Sequence, residues 1–281
     1  SAAIAAGPAS GFLFTGMAFG ASNFVSDVAV GRVTSTGALD SAFDGDGIAL
    51  TTFGGATRGK GVGLDSMGRV LVTAQSDNVS DIVLMRFTSS GALDATFSTG
   101  QDAGTGMLPP GASVLRFTNA TNTSPEGMQK DSSGKWVIYG NGEVPAADGG
   151  PLTRSAMFAM RVDENGTVDT TFRNGGGPFF ITPTGKSFGT SFAFQPSGEG
   201  IIGGAVYEGP VAPFDDTQYW PAFVVLDTTG ARDYGALGIY KGLYIPHAYT
   251  GTDAIVAALP NGHFAAVISG ATKVDILEVI P

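Results

Sequence analysis

One phrase returns along the chain, and it constrains the fold more than any other feature. It runs from Gly37 through Leu39 and Asp40 to Phe43, from Gly91 through Leu93 and Asp94 to Phe97, and from Gly166 through Val168 and Asp169 to Phe172. A decayed copy at Gly230 keeps the aspartate as Asp233 but has lost the apolar residue and the phenylalanine. Before each good copy lies an apolar run that ends in arginine: 27–32, 81–86 and 156–161. A second phrase precedes these runs and reads as strand, glycine turn, strand, with Gly68, Gly134, Gly198 and Gly262 at matching places. Glycine there accepts a positive φ without penalty, as a tight hairpin requires. Helical periodicity is hardly visible.

Units of three or four short antiparallel strands, repeated, build a β-propeller or a β-solenoid. The expected architecture is therefore all-β and single-domain over 1–281. A propeller of about five blades is the first choice and a β-solenoid the alternative. The stretches 98–123, 143–154 and 207–221 read as unrepeated insertions. The 43 glycines and 15 prolines make about a fifth of the 281 residues, below the level that signals disorder.

The recurring phrase, with Asp44 to Gly47 after its first copy and an apolar strand ending in arginine before it, resembles the bacterial delta-60 repeat. The resemblance covers 24–97 and 124–177 and thins after 187. It implies an exported or surface-associated bacterial protein with a propeller-like fold, and it brings no shared catalytic residues. A start at Ser1 rather than Met suits the mature side of a signal-peptidase cut, so a periplasmic, cell-surface or extracellular location is expected.

Composition narrows the chemistry. A formal charge of −10 argues against nucleic acid and against anionic lipid, which both call for excess Lys and Arg. No run approaches the ~20 apolar residues of a membrane span. With no cysteine, thiolate metal sites and cysteine nucleophiles are excluded, and two histidines cannot make a three-histidine zinc site. Sequons stand at Asn78, Asn119, Asn122 and Asn165, as a Ser/Thr-rich chain produces by chance.

The pairs Arg32 with Asp40, Arg86 with Asp94 and Arg161 with Asp169 share one spacing. An active site is needed once, whereas these recur, so they read as structural ion pairs with turn-capping aspartates. Asp44 and Asp46 alternate in a glycine turn and could hold calcium, although the EF-hand spacing is missing and a plain Asx turn competes. Recognition is expected where the repeat breaks. The stretch 207–221 offers Tyr207, Phe214, Asp215, Asp216, Tyr219 and Trp220, stiffened by prolines and suited to a protein or a sugar. His247 sits among aromatics and is a further candidate for binding, with packing as its competing role. These readings give a non-catalytic propeller that binds a protein partner or serves as a scaffold in an extracellular assembly. One alternative is a carbohydrate-binding or glycan-active protein using the 207–221 loop. Another is a calcium-stabilised structural subunit; otherwise no cofactor is expected.

Overall fold

The structure, a computed structural model, describes residues 3–19, 26–52, 55–77, 79–97, 108–117, 120–145, 153–172, 178–179, 186–207, 219–231, 243–244, 253–269 and 274–279. They form five small antiparallel sheets. The first holds β1 (Ala3–Ala6), β2 (Phe12–Phe19), β3 (Ser26–Val33) and β4 (Ile48–Thr51). The second holds β5 (Thr57–Leu64), β6 (Val70–Ser76), β7 (Val79–Phe87) and β8 (Ala112–Leu115). The third holds β9 (Thr121–Lys130), β10 (Trp136–Pro145), β11 (Thr153–Val162) and β12 (Pro178–Phe179). The fourth holds β13 (Lys186–Phe194), β14 (Gly200–Tyr207), β15 (Trp220–Leu226) and β16 (Leu243–Tyr244). The fifth holds β17 (Asp253–Ala258), β18 (Phe264–Ser269) and β19 (Val274–Val279). Strands lie in each sheet in sequence order, as in a β-propeller. A solenoid would instead run strands of successive coils into continuous sheets. Ala112–Leu115, inside the stretch read as an insertion, is the outer strand of the second sheet and matches β4.

The chain divides into two compact units. One comprises Ser1–Arg116, Asn122–Ile138 and Val162–Val168, and the other Phe117–Thr121, Tyr139–Arg161 and Asp169–Pro281. In the first unit, Leu13, Val28 and Val30 of the first sheet pack with Val62, Val70, Val72, Val83 and Met85 of the second. In the second unit, Ile201, Phe223 and Val225 of the fourth sheet pack with Ala254, Val256, Phe264 and Ile268 of the fifth. Strand alternation sends the other side chains to the opposite faces. On those faces Ile4, Phe12 and Leu50 of the first sheet and Ile255, Val274 and Ile276 of the fifth are exposed.

Each good copy of the repeated phrase makes the same corner after a sheet's third strand. In the second copy, Asp94 spends both carboxylate oxygens: Oδ2 takes the Arg86 Nε proton at 2.8 Å, and Oδ1 takes the Thr96 amide at 3.0 Å. The first and third corners repeat this with Arg32, Asp40 and Ala42, and with Arg161, Asp169 and Thr171. The guanidinium then lies over the phenylalanine that closes the phrase, 5.1, 4.8 and 4.7 Å from the rings of Phe43, Phe97 and Phe172. These rings are at most 2 % exposed, each a burial that stabilises by about 1.5–3 kcal/mol. The corner glycines Gly37, Gly91 and Gly166 all have φ between +80° and +96°.

The arginines also tie sheet to sheet. Arg32 Nη1 donates to the Ser89 carbonyl at 2.6 Å, and Arg86 Nη1 donates to the Glu164 carbonyl and Asn165 Oδ1, each at 3.1 Å. A second contact in this unit depends on glycine. A side chain at Gly63 would collide with the Trp136 ring, which lies flat against the strand.

Two expectations follow. Arg86→Ala leaves the Asp94 carboxylate in a nearly dry corner with only the longer Arg69 pair at 3.7 Å, and should cost about 3–5 kcal/mol in a denaturant melt. Arg116→Ala breaks a pair whose arginine is half exposed and should cost under about 1 kcal/mol. Equal costs would show that the corner is not what holds the sheets. The second expectation concerns acid. Asp94 is held below the ordinary carboxylate pKa, first by the Thr96 hydroxyl, against the opposing effect of burial, and further by the Thr96 amide and Arg86. A depressed pKa stabilises the fold above the unfolded value of about 3.9 and loses that contribution as pH falls through the folded value. Glu164 adds to this: burial pushes its pKa up, but the Ser66 hydroxyl and Lys130 outweigh it and leave it lowered. The melting temperature should therefore fall below about pH 5, and more shallowly in Asp94→Asn than in the parent.

Candidate functional site

The corners occupy one end of each third strand. At the opposite end, the second strand of a sheet connects to its third, and here the sheets differ. In the first sheet this connection is residues 20–25 and in the second 77–78. In the third it is 146–152, and in the fourth 208–219. The connections of the third and fourth sheets therefore leave the same end of neighbouring sheets, and the strand ends they join carry unlike side chains.

The face of β10 that looks toward the fourth sheet is fixed by two contacts. Tyr139 stacks on Phe192 with centroids 5.7 Å apart, and Asn141 accepts the Gly189 amide proton at 2.6 Å. Strand alternation puts Glu143, half-buried, next in that row. The contacts step down β13 as they step up β10, so Glu143 stands level with the start of β13. There the Ser187 hydroxyl accepts the Met157 amide proton at 3.0 Å. Ser187 pairs with Val206, and Val206 with Trp220, so the half-buried Trp220 ring is directed to the same side of the fourth sheet as Ser187. Glu143 and Trp220 thus come from facing strands to one end of the space between the third and fourth sheets.

On the other face of the fourth sheet Tyr219 meets Phe188 edge to face, with centroids 5.8 Å apart. Tyr207 ends β14 opposite Lys186, which is exposed. Of the residues singled out in the sequence, Tyr207, Tyr219 and Trp220 are gathered at this strand end. Phe214, Asp215, Asp216 and His247 lie outside the described residues. Glu143, Asn141, Phe188 and Lys186 were missed. The readable signal was the alternation of Asn141 and Glu143 between glycines in a strand otherwise built to be buried on both faces.

The Asp44–Asp46 turn belongs to the first corner. Asp46 Oδ1 accepts the Ile48 amide proton at 2.8 Å, an Asx turn, and Asp44 has φ +52°. Among the described residues no group of three or more His, Asp or Glu side chains could hold a metal ion.

No protein-family model and no curated protein matches the chain. Solved structures do. The structure of Penicillium chrysogenum α-L-arabinanase complexed with arabinobiose aligns over 98 % of this chain and 76 % of its own, at 13 % identity and a TM-score of 0.55. A glucose dehydrogenase aligns over 99 % and 82 % at 12 % identity and a TM-score of 0.49. The GH43 endo-arabinanase of Bacillus licheniformis aligns over 82 % and 75 % at 13 % identity and a TM-score of 0.38. At such identities the likeness is one of fold, and the fold is a β-propeller. It corrects the expectation of a non-enzymatic scaffold for a protein partner. Repetition of the Arg–Asp pair says only that this pair is structural. An arabinanase stands on a frame of the same fold, so the repeated frame does not exclude an enzyme.

Proposed function

We propose that this propeller is glycan-active, holding a sugar chain at the strand ends of its third and fourth sheets. The observation that carries this reading is the convergence of Glu143 and Trp220 from facing strands of the third and fourth sheets, at the ends the repeated corners do not use. An indole face covers the C–H face of a sugar ring, while a carboxylate accepts bonds from its hydroxyls. Half-buried in place, Glu143 also has the chemistry to exchange a proton with a glycosidic oxygen. Cleavage would take a second carboxylate about 5–9.5 Å away. Asp215 and Asp216, on the connection that ends at Tyr219, have the right chemistry for that role. The arabinobiose bound to the arabinanase of like fold supports a saccharide as the ligand class. Export, which the delta-60 resemblance implies, suits a polymeric glycan met outside the cell.

Titration against a glycan array that includes arabino-oligosaccharides, with a reducing-end assay alongside, tests this. Trp220→Ala should weaken binding by more than about tenfold, as loss of an aromatic anchor does, with the melt little changed. Glu143→Gln should lower turnover more than affinity if the carboxylate moves a proton. A parent protein that binds no glycan, or variants that keep both affinity and turnover, would remove the site from this place.

A further inference from the structure

The bulge in β13 lies next to the ring pair, and it is held from both sides. Pairing with β14 runs from Lys186 opposite Tyr207 to Gly189 opposite Gly204, then resumes at Ser191 opposite Gly203, leaving Thr190 as the extra residue. A bulge of this kind re-aims the side chains around it. From the fifth sheet, the Ser191 hydroxyl donates to the Ala254 carbonyl at 2.6 Å and accepts the Val256 amide proton at 3.1 Å. Thr190 Oγ1 donates to the same Ala254 carbonyl at 3.2 Å. From the third sheet, one side chain does the corresponding work. Asn141 Oδ1 accepts the Gly189 amide proton at 2.6 Å, and its Nδ2 donates to the Gly189 carbonyl at 3.4 Å. The amide thereby pairs with Gly189 as a strand residue would, at the point where the ladder is interrupted.

Phe188 is the residue immediately before this clamp, and its ring meets Tyr219. We infer that Asn141 is a positioning residue: by fixing the Gly189 peptide it sets the Phe188–Tyr219 ring pair, on the face of the fourth sheet opposite Trp220, for contact with a sugar chain that crosses the strand end from one face to the other. The sugar-stacking half of this inference rests on the glycan reading above; the ring-setting half does not. The geometry calls for an amide, because only a group with an acceptor and a donor on one carbon satisfies both the N–H and the C=O of Gly189. Aspartate has the same shape but turns an oxygen toward the Gly189 carbonyl.

The test compares Asn141→Asp with the parent by two readouts. One is the ¹⁹F spectrum of fluorotyrosine-labelled protein, with the Tyr219 resonance assigned through Tyr219→Phe. The other is affinity for whichever arabino-oligosaccharide the parent binds. Thr15→Ala serves as the control, since it removes a buried hydroxyl bond to the Ala29 carbonyl in the other unit. Asn141→Asp should move the Tyr219 resonance and weaken affinity on the order of fivefold, the factor that one net hydrogen bond represents. Thr15→Ala should lower the melt and change neither readout. An unmoved Tyr219 resonance in Asn141→Asp, or an equal movement in Thr15→Ala, would overturn the inference. A moved resonance with unchanged affinity would overturn the sugar-stacking half. If the parent binds no saccharide while the resonance still moves, the glycan reading falls and the ring-setting role of Asn141 stands.

Discussion

The corner built by arginine, aspartate and phenylalanine ties the first sheet to the second and the second to the third. A chain with few charges has placed them where water is excluded, and that is costly unless each charge is fully used. Here it is. Both oxygens of Asp94 are engaged, and the Arg86 guanidinium is bonded at its edge, covers the Phe97 ring, and reaches the Glu164 carbonyl of the third sheet. The interaction joins local and long-range structure in one cluster. The aspartate caps its own turn through the amide two residues on, and it holds the arginine that reaches the turn of the next sheet.

That arrangement divides each sheet into two ends with different duties. The third strand finishes in the corner, so its last residues and the turn after it are committed to packing. Its first residues follow the connection from the second strand, which is free to lengthen. Loops lengthen at modest entropic cost when their ends are held by a rigid frame. The first, third and fourth sheets use that freedom and the second does not. Glu143 and Trp220 stand at the free ends, about a strand's length from Arg161 and from Gly230, where the corners lie. Stability and recognition are thereby kept apart on the same strands.

Much of the frame was legible because it repeats. Three copies of one phrase fix the corner residues, and four glycines with φ from +75° to +93° fix the hairpins between first and second strands. The outer strands were harder to read. Ala112–Leu115 is only four residues long and follows a stretch with no counterpart, so nothing local distinguishes it from a loop. The site was half legible for a related reason. Aromatics in the 207–221 stretch announce themselves by composition, and Trp220 and Tyr219 are indeed at the strand end. Glu143 and Asn141 do not announce themselves, because their meaning depends on which strand of another sheet lies opposite. Pairing between sheets is a property of the tertiary fold that no spacing within β10 encodes.

The decayed fourth copy shows that the corner has a giving half and a receiving half. The giving half is the arginine and the phenylalanine. The receiving half is the turn whose carbonyls and glycine meet them. In the fourth sheet Val225 stands opposite Ile201, the place that Arg86 takes opposite Leu71, so the giving half is gone. The receiving half remains: Gly230 keeps a φ of +79°, and a side chain there would collide with the Phe172 ring. Glycine suits this place twice over, by the positive φ of its own turn and by the Phe172 ring of the complete third copy packed against it. At the first corner the situation is reversed. A side chain at Gly37 would meet nothing within 4 Å, yet Arg32, Asp40 and Phe43 are all present, and Arg32 reaches the second corner. The glycine of each corner is thus required first by the positive φ of its own turn, while the arginine is required by the turn of the next sheet that it reaches.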